Sequence, residues 1–285
     1  MKTIVAPVNF TESSGNAARY AADMALAIQA DLRLIHIVQV PVSTAEMPMT
    51  DYLFEEILQS GADGLRELKE ELVHRTGGKI RIFTNIETGA LGRRLEAFCA
   101  KQNPFVVIVG NSGHSMDRML AGGNVASAIR RLAYPLIVVP PDAVFHQIGK
   151  VLLACDLDDI MGGIPSTVAF LSDLQNLFNA GFEIIHIGAG RQEKESEAGT
   201  SLPFPSWQER LSRACPEVHF IRVDDVEEGI REYLENNPAD LLLVFPKKHD
   251  FFEFHRSQAR KIALHSSVPV MSIRQQGSNS NLLFS

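Results

Sequence analysis

Short apolar runs alternate with longer segments of helical periodicity along most of the chain, and this alternation is the feature that most constrains the fold. Strands that alternate with helices form βαβ units, whose strands run parallel. Near-continuous apolar runs are typical of strands that helices cover on both faces. The sequence therefore predicts an α/β fold built from doubly wound parallel sheets. The apolar runs are residues 4–8, 32–38, 80–83, 105–109, 136–139, 151–155, 182–187, 218–221, 241–244 and 268–271.

The second half of the sequence repeats the order of the first, with five apolar runs in each half. Residues 34–37 (Leu-Ile-His-Ile) match residues 184–187 (Ile-Ile-His-Ile). A chain of 285 residues has room for two domains of about 100–200 residues each. We predict a five-stranded domain at residues 1–142, a second at residues 149–275, and a polar tail at residues 276–285.

The charge balance and the cysteines limit the classes of partner. Lys and Arg total 27 against 34 Asp and Glu, a net charge of −7, which disfavours broad contact with nucleic-acid phosphates. The three cysteines, Cys99, Cys155 and Cys215, form no Cys-x-x-Cys pair that would indicate a thiolate zinc site. No apolar run approaches the ~20 residues of a membrane span. We expect a cytoplasmic protein without nucleic-acid or membrane partners.

A glycine constellation follows the fourth apolar run. Residues 110–125 contain Gly110, Gly113 and Gly123 in the spacing Gly-x2-Gly-x9-Gly, and a segment with a helical pattern follows. Open α/β sheets bind ligands at the carboxyl ends of their strands. Glycines there admit backbone N–H groups to a phosphate, which a helix N-terminus also attracts. The spacing is equally compatible with glycines that only turn the chain and open the helix.

Signatures of known catalytic centres are missing from the sequence. It contains no Gly-x-x-x-x-Gly-Lys-Ser/Thr, no His-Glu-x-x-His and no Gly-x-Ser-x-Gly. Asp156 and Asp158 form a carboxylate pair, but a helix N-cap explains Asp158 more simply. Residues 249–255 hold two histidines and two carboxylates, which suit a metal such as zinc or, more commonly, a solvated edge. His36 and His186 lie in strand runs, where we expect hydrogen-bonded core histidines. We expect neither a metal site nor catalytic residues.

Three segments of the first half carry a family resemblance. They are residues 4–14 (Ile-Val-Ala-Pro-Val-Asn-Phe-Thr-Glu-Ser-Ser), residues 34–38, and the glycine loop together with residues 134–140. In these segments residues 2–142 resemble a universal stress protein domain, and residues 149–275 resemble a weaker copy. The resemblance implies two tandem domains of the adenine nucleotide alpha hydrolase-like fold, each with strand order 3-2-1-4-5. It also implies pairing of domains or of chains through the last strands and, in one branch, bound ATP.

The resemblance also implies which residues contact the nucleotide. Asn9 stands where nucleotide-binding members have an aspartate near the adenosine, and Asn124 stands where they have Ser or Thr. An amide still hydrogen-bonds a sugar or a base. His114 is compatible with a phosphate contact or with a surface position. The implied cofactor-binding residues are Pro7, Val8, Asn9, Ile37, Gly110, Gly113, His114, Gly123, Asn124 and Val125.

The second half keeps the family aspartate at Asp156 but lacks the glycine loop. The positions of the three loop glycines fall at Phe245 and at about Lys248 and Gln258. Side chains of this size would occupy the space that phosphates need. We therefore expect at most one nucleotide per chain, bound by the first domain, with the second domain as its structural partner.

We therefore expect a stress-response protein that binds ATP, with ADP or AMP as alternatives, and that hydrolyses ATP slowly at most. A homodimer is compatible with the family. The main alternative is a universal stress protein that binds no nucleotide and acts through protein–protein interactions, which Asn9 and Asn124 favour. A third class is an enzyme of the wider adenine-nucleotide α-hydrolase-like group.

Overall fold

The fold is known from a computed structural model, which divides the chain into two compact units, Met1–His146 and Gln147–Ser285. The structure describes residues 1–39, 50–111, 132–154, 165–188, 217–222, 225–245, 262 and 265–273.

The first unit is a parallel sheet of five strands in the order β3-β2-β1-β4-β5. This arrangement confirms the expected strand order 3-2-1-4-5. Helices connect the first four strands, as parallel pairing requires. The elements are β1 (Thr3–Val8), α1 (Glu12–Ala27), β2 (Asp31–Val38), α2 (Asp51–Arg75), β3 (Ile82–Thr88), α3 (Leu91–Gln102), β4 (Val106–Gly110) and β5 (Leu136–Val139).

The second unit has the same strand order, β8-β7-β6-β9-β10, and its strands are also parallel. Its core packs Leu152 and Leu242 against Ile230 and Leu234. The described elements are β6 (Lys150–Ala154), α4 (Pro165–Phe178), β7 (Gly181–Gly188), β8 (Glu217–Arg222), α5 (Val226–Asn236), β9 (Leu241–Val244) and β10 (Val270–Ser272).

The central strands of the first unit are buried because helices cover them. Ile4, Val5 and Ala6 of β1 are buried, as are the residues from Val106 to Val109 of β4. Helix α1 buries a stripe of alanines, and such small side chains let a helix lie close to a sheet. Strand β3 differs from the predicted run at residues 80–83, since it begins at Ile82 and continues to Thr88. It is an outer strand of this order and is only partly buried, so its sequence includes polar residues that the apolar pattern misses.

Helices α1 and α2 are joined by two ion pairs. Arg19 Nε lies 2.5 Å from Glu71 Oε1, and Arg75 donates two hydrogen bonds to Asp23, of 2.8 and 2.7 Å. Both pairs join residues 52 positions apart, so the two helices run in the same direction with a constant offset. Side-chain caps fix where they begin, because Thr11 and Thr50 accept from the N–H groups of Ser14 and Leu53.

The segment that follows β5 packs on α1 within the first unit. Asn16 donates hydrogen bonds to the carbonyl oxygens of Pro140 and Ala143, and Tyr20 meets the ring of Phe145 edge-on. Among the described elements, no helix combines the length and apolar character needed to cross a membrane.

Candidate functional site

The candidate site lies at the carboxyl edge of the first sheet. Strand β1 is central, and the chain passes from β1 to β2 on one side and later to β4 on the other. Ligands of open α/β sheets bind at such a switch point. The pairing of β1 with β2 extends to Val8 and His36, whereas its pairing with β4 joins Ile4 to Val106 and Val5 to Val107. The shorter pairing with β4 is compatible with a crevice between these strands.

Five of the ten predicted site residues lie at this edge. Pro7 and Val8 end β1 and Asn9 follows them, while Ile37 and Gly110 lie at the ends of β2 and β4. The structure thus brings the described members of the predicted set to one edge. The other five predicted residues fall outside the described part of the chain. They are Gly113, His114, Gly123, Asn124 and Val125.

Asn9 organises the turn between β1 and α1. Its side-chain oxygen accepts hydrogen bonds from the backbone N–H of Thr11, at 3.3 Å, and from the Thr11 hydroxyl, at 2.7 Å. Its backbone N–H donates to the hydroxyl of Ser14 at 3.3 Å. An aspartate oxygen would accept the same bonds from Thr11. Asparagine therefore preserves the geometry of an acidic residue at this position but removes the charge.

His36 ties the end of β1 to β2. Its Nδ1 lies 2.8 Å from the carbonyl oxygen of Val8 and, because a carbonyl only accepts, Nδ1 carries the proton. The hydrogen bond agrees with the expectation for His36, but the side chain is half-buried and so is not the core histidine that the sequence predicted. The next residue, Ile37, has a buried side chain, so any hydrogen bond that it made to a ligand at this edge would come from its backbone. The side chain of His186, for which we made the same prediction, is outside the described part.

Phe10 is a residue of this edge that sequence reasoning missed. It has a φ of 61°, which is an outlier for a bulky side chain. Its ring lies 4.6 Å from the ring of His36, with an angle of 40° between the planes. A Cβ atom on Gly64 of α2 would lie 2.8 Å from the Phe10 ring, and one on Gly61 would lie 3.0 Å from His36 Cδ2. The sequence signal for this contact is a pair of glycines inside an otherwise uninterrupted helix.

Gly110 has a packing role that sequence reasoning did not foresee. A Cβ atom at this position would lie 2.1 Å from the carbonyl oxygen of Ser13, a distance that real structures do not tolerate. The first turn of α1 therefore lies directly against the end of β4. The next residue, Asn111, is buried and continues the pairing with β5, since its N–H donates to the carbonyl of Val139 at 2.7 Å.

In the second unit, Phe245 follows β9 at the position that corresponds to Gly110. It is half-buried. The other residues of interest there lie outside the described ranges, namely Asp156, Asp158, Lys248, Gln258 and the segment 249–255. Where the structure describes the chain, no three His, Cys, Asp or Glu side chains form a group that would hold a metal ion.

A comparison with family models finds a match over most of the first unit. Residues 1–140 match the universal stress protein family. The match includes all ten predicted site residues and ends before the second unit begins. No curated protein matches the sequence.

Solved universal stress proteins share the fold over most of the chain. A universal stress protein from Archaeoglobus fulgidus DSM 4304 has a TM-score of 0.70 at 14% identity, and the alignment covers 96% of this chain and 97% of that one. A Pseudomonas aeruginosa UCBPP-PA14 protein assigned to the same family has a TM-score of 0.54 at 12% identity, with 96% and 93% covered. A universal stress protein solved in complex with cAMP aligns with 48% of this chain and 96% of its own, at 22% identity and a TM-score of 0.37.

Proposed function

We propose that this chain is a tandem universal stress protein of the cytoplasm, with domains at residues 1–142 and 149–275. The first domain binds ATP, or the related ADP or AMP, and the second domain acts as its structural partner. We assign no catalytic residue. Bound nucleotide acts as a conformational or assembly signal in the response to stress.

The observation that carries this proposal is the meeting of three strand ends at the switch point of the first sheet. Asn9, Ile37 and Gly110 all lie at that edge, and the glycine loop follows Gly110 directly. The backbone at Ile37 offers hydrogen-bonding groups to a base, and the amide of Asn9 offers them to a sugar. Backbone N–H groups of a glycine loop suit phosphates.

Two contacts favour the second candidate, a universal stress protein that binds no nucleotide and acts through protein–protein interactions. The oxygen of Asn9 is already engaged by Thr11 within the turn. Packing against Ser13 is sufficient to explain why residue 110 is a glycine. Both residues therefore have structural roles that need no ligand.

Nucleotide binding to the full chain tests the two candidates. We expect a fluorescent ATP analogue to bind wild-type protein and to be displaced by ATP, ADP or AMP. An Asn9→Asp variant should keep the turn and bind about fivefold more tightly, because a charged acceptor strengthens a hydrogen bond by about 1 kcal/mol. The matched control is Asn103→Asp, an exposed position at the end of α3 that precedes β4 and so lies at the opposite edge of the sheet.

The outcome separates the two candidates. Binding that Asn9→Asp tightens and Asn103→Asp leaves unchanged supports the nucleotide site. If neither wild type nor Asn9→Asp binds any adenine nucleotide, the second candidate stands.

A further inference from the structure

The backbone at Phe10 is strained in a way that its neighbours explain. A left-handed conformation is unfavourable for any residue with a Cβ, and strain of this kind persists only where surrounding contacts enforce it. Phe10 is still 44% exposed, so burial of the whole ring does not account for its conformation. The φ of Phe10 is therefore enforced by contacts with particular neighbouring residues.

A notch in α2 supplies those contacts. We call the pair Gly61 and Gly64 the glycine notch, because a Cβ at Gly64 would displace the ring of Phe10 and a Cβ at Gly61 would make a tight contact with His36. Glycine inside a helix costs up to about 1 kcal/mol relative to alanine, so the notch is unfavourable for α2 itself. In exchange, the notch leaves room for the Phe10 ring to pack between α2 and His36.

The conformation of Phe10 determines the geometry of the turn that contains Asn9. Residue 10 lies between Asn9 and Thr11, which are joined by the two hydrogen bonds to the Asn9 oxygen. Thr11 in turn caps α1 through Ser14. A change of φ at residue 10 would therefore move Asn9 relative to α1 and to the strand ends.

We propose that Phe10, seated in the glycine notch, is a positioning residue that holds Asn9 in place at the nucleotide-binding edge. The inference rests on the proposed function, and it adds α2 to the elements on which nucleotide affinity depends. Phe10 acts through the backbone of the turn, and no contact between its ring and the nucleotide is required.

Two substitutions at residue 10 separate the role of the backbone from that of the ring. Both Phe10→Ala and Phe10→Gly remove the ring, but only glycine adopts a φ of 61° without strain. In Phe10→Ala the turn spends less time in the competent conformation, so apparent ATP affinity should fall about fivefold to thirtyfold. Phe10→Gly should stay within about threefold of wild type. Equal affinities of the two variants, with both well below wild type, would overturn the proposal.

A substitution in the glycine notch of α2 tests whether ATP affinity depends on the packing of the Phe10 ring. In Gly64→Ala the new Cβ displaces the Phe10 ring, so ATP affinity should fall about as far as in Phe10→Ala, although alanine favours the helix. The control is Gly15→Ala in α1, where the nearest atom to a new Cβ is Arg19 Nη1, 3.6 Å away on a flexible side chain. Unchanged affinity in Gly64→Ala would contradict the proposal.

Hydrogen exchange of the nucleotide-free chain keeps this test independent of nucleotide binding. The Thr11 and Ser14 amides, both bonded within the turn, should exchange about fivefold to thirtyfold faster in Phe10→Ala than in Phe10→Gly. This difference together with no ATP binding by wild type would refute the proposed function and leave the role of Phe10 in the turn intact. Equal exchange rates would overturn that role even if ATP binds.

Discussion

At the scale of single residues, the packing of the first unit depends on three glycines that lie close to neighbouring elements. A Cβ atom at Gly110, Gly61 or Gly64 would lie within 3.0 Å of an atom of another element, which is too close at Gly110 and Gly64 and tight at Gly61. Their partners are a carbonyl in α1, an imidazole in β2 and a phenyl ring after β1. Glycine at these positions therefore sets how closely helices approach the edge where the site lies.

Gly110 is the position at which this requirement is most severe. We expect Gly110→Ala to lower the free energy of unfolding by at least about 1–3 kcal/mol, the usual cost of overpacking, because the Ser13 carbonyl is backbone and cannot rotate away. Urea denaturation followed by circular dichroism measures the change. Gly15→Ala is the control and should be neutral or slightly stabilising, since it adds a good helix former whose Cβ would be in ordinary contact with the flexible Arg19 side chain. Equal stability of the two variants would show that α1 does not press on β4.

At the scale of elements, a charged cluster joins three strands and one helix of the second unit. Glu183 of β7 is buried. It accepts a hydrogen bond from the hydroxyl of Tyr233 of α5 and forms an ion pair with Lys150 of β6. His219 of β8 lies 3.1 Å from the same carboxylate. Burial by itself would raise the pKa of Glu183, but the bonds from Lys150 and Tyr233 and the charges of Lys150 and His219 outweigh it. The pKa of Glu183 therefore lies below its ordinary value.

The lowered pKa of Glu183 predicts a pH dependence of stability. The unfolded chain takes up the proton first as pH falls, so the stabilisation is complete above the ordinary pKa of 4.5 and is lost as pH falls through the lower folded value. We expect Glu183→Gln to weaken this acid dependence and to cost about 1–2 kcal/mol at neutral pH. Urea denaturation from pH 7 to pH 3 provides the measurement.

The control for Glu183 is Glu228→Gln on the exposed face of α5. Glu228 pairs with Arg231 at 3.2 Å, and both side chains are mostly exposed, so the loss should stay below about 1 kcal/mol. If both variants changed the acid dependence equally, the buried cluster would have no special role.

At the scale of the whole molecule, the two units share a strand order but differ at the strand end where phosphates are expected. Gly110 ends β4 in the first unit, and the half-buried Phe245 follows β9 in the second. The family match covers residues 1–140 alone. Among the described residues, the two units therefore differ at this strand end despite their common strand order.

This difference predicts the nucleotide content of the chain. Denaturing purified wild-type protein should release no more than one equivalent of adenine nucleotide per chain, counted by chromatography. In Gly113→Lys that equivalent should be lost, because a lysine side chain would fill the loop. Two equivalents per wild-type chain would contradict the assignment of the second domain as a structural partner.

The sequence predicted the strands and helices well where a periodic pattern is strong. Each of the ten predicted runs overlaps an observed strand. The strand order came from the family resemblance, since periodicity alone does not say which strands are neighbours. Strand β3 was predicted too short because the polar residues after Phe83 break the apolar pattern at the edge of the sheet.

The candidate site was predicted only in part. The resemblance implied that Asn9, Ile37 and Gly110 belong to the site, and the structure places all three at one edge of the sheet. Phe10 was overlooked because its importance lies in a positive φ and in a contact with Gly64, and neither is visible in a linear pattern.

By itself, the sequence determined the α/β architecture, because the alternation of apolar runs and helical segments reflects local periods that each element must satisfy. Only the tertiary structure revealed the packing roles of Gly110 and Gly64. Gly110 meets Ser13 and Gly64 meets Phe10 only after strands and helices have packed. Such contacts join residues that are distant along the chain, and the cost of a collision depends on tenths of an ångström that no local pattern encodes.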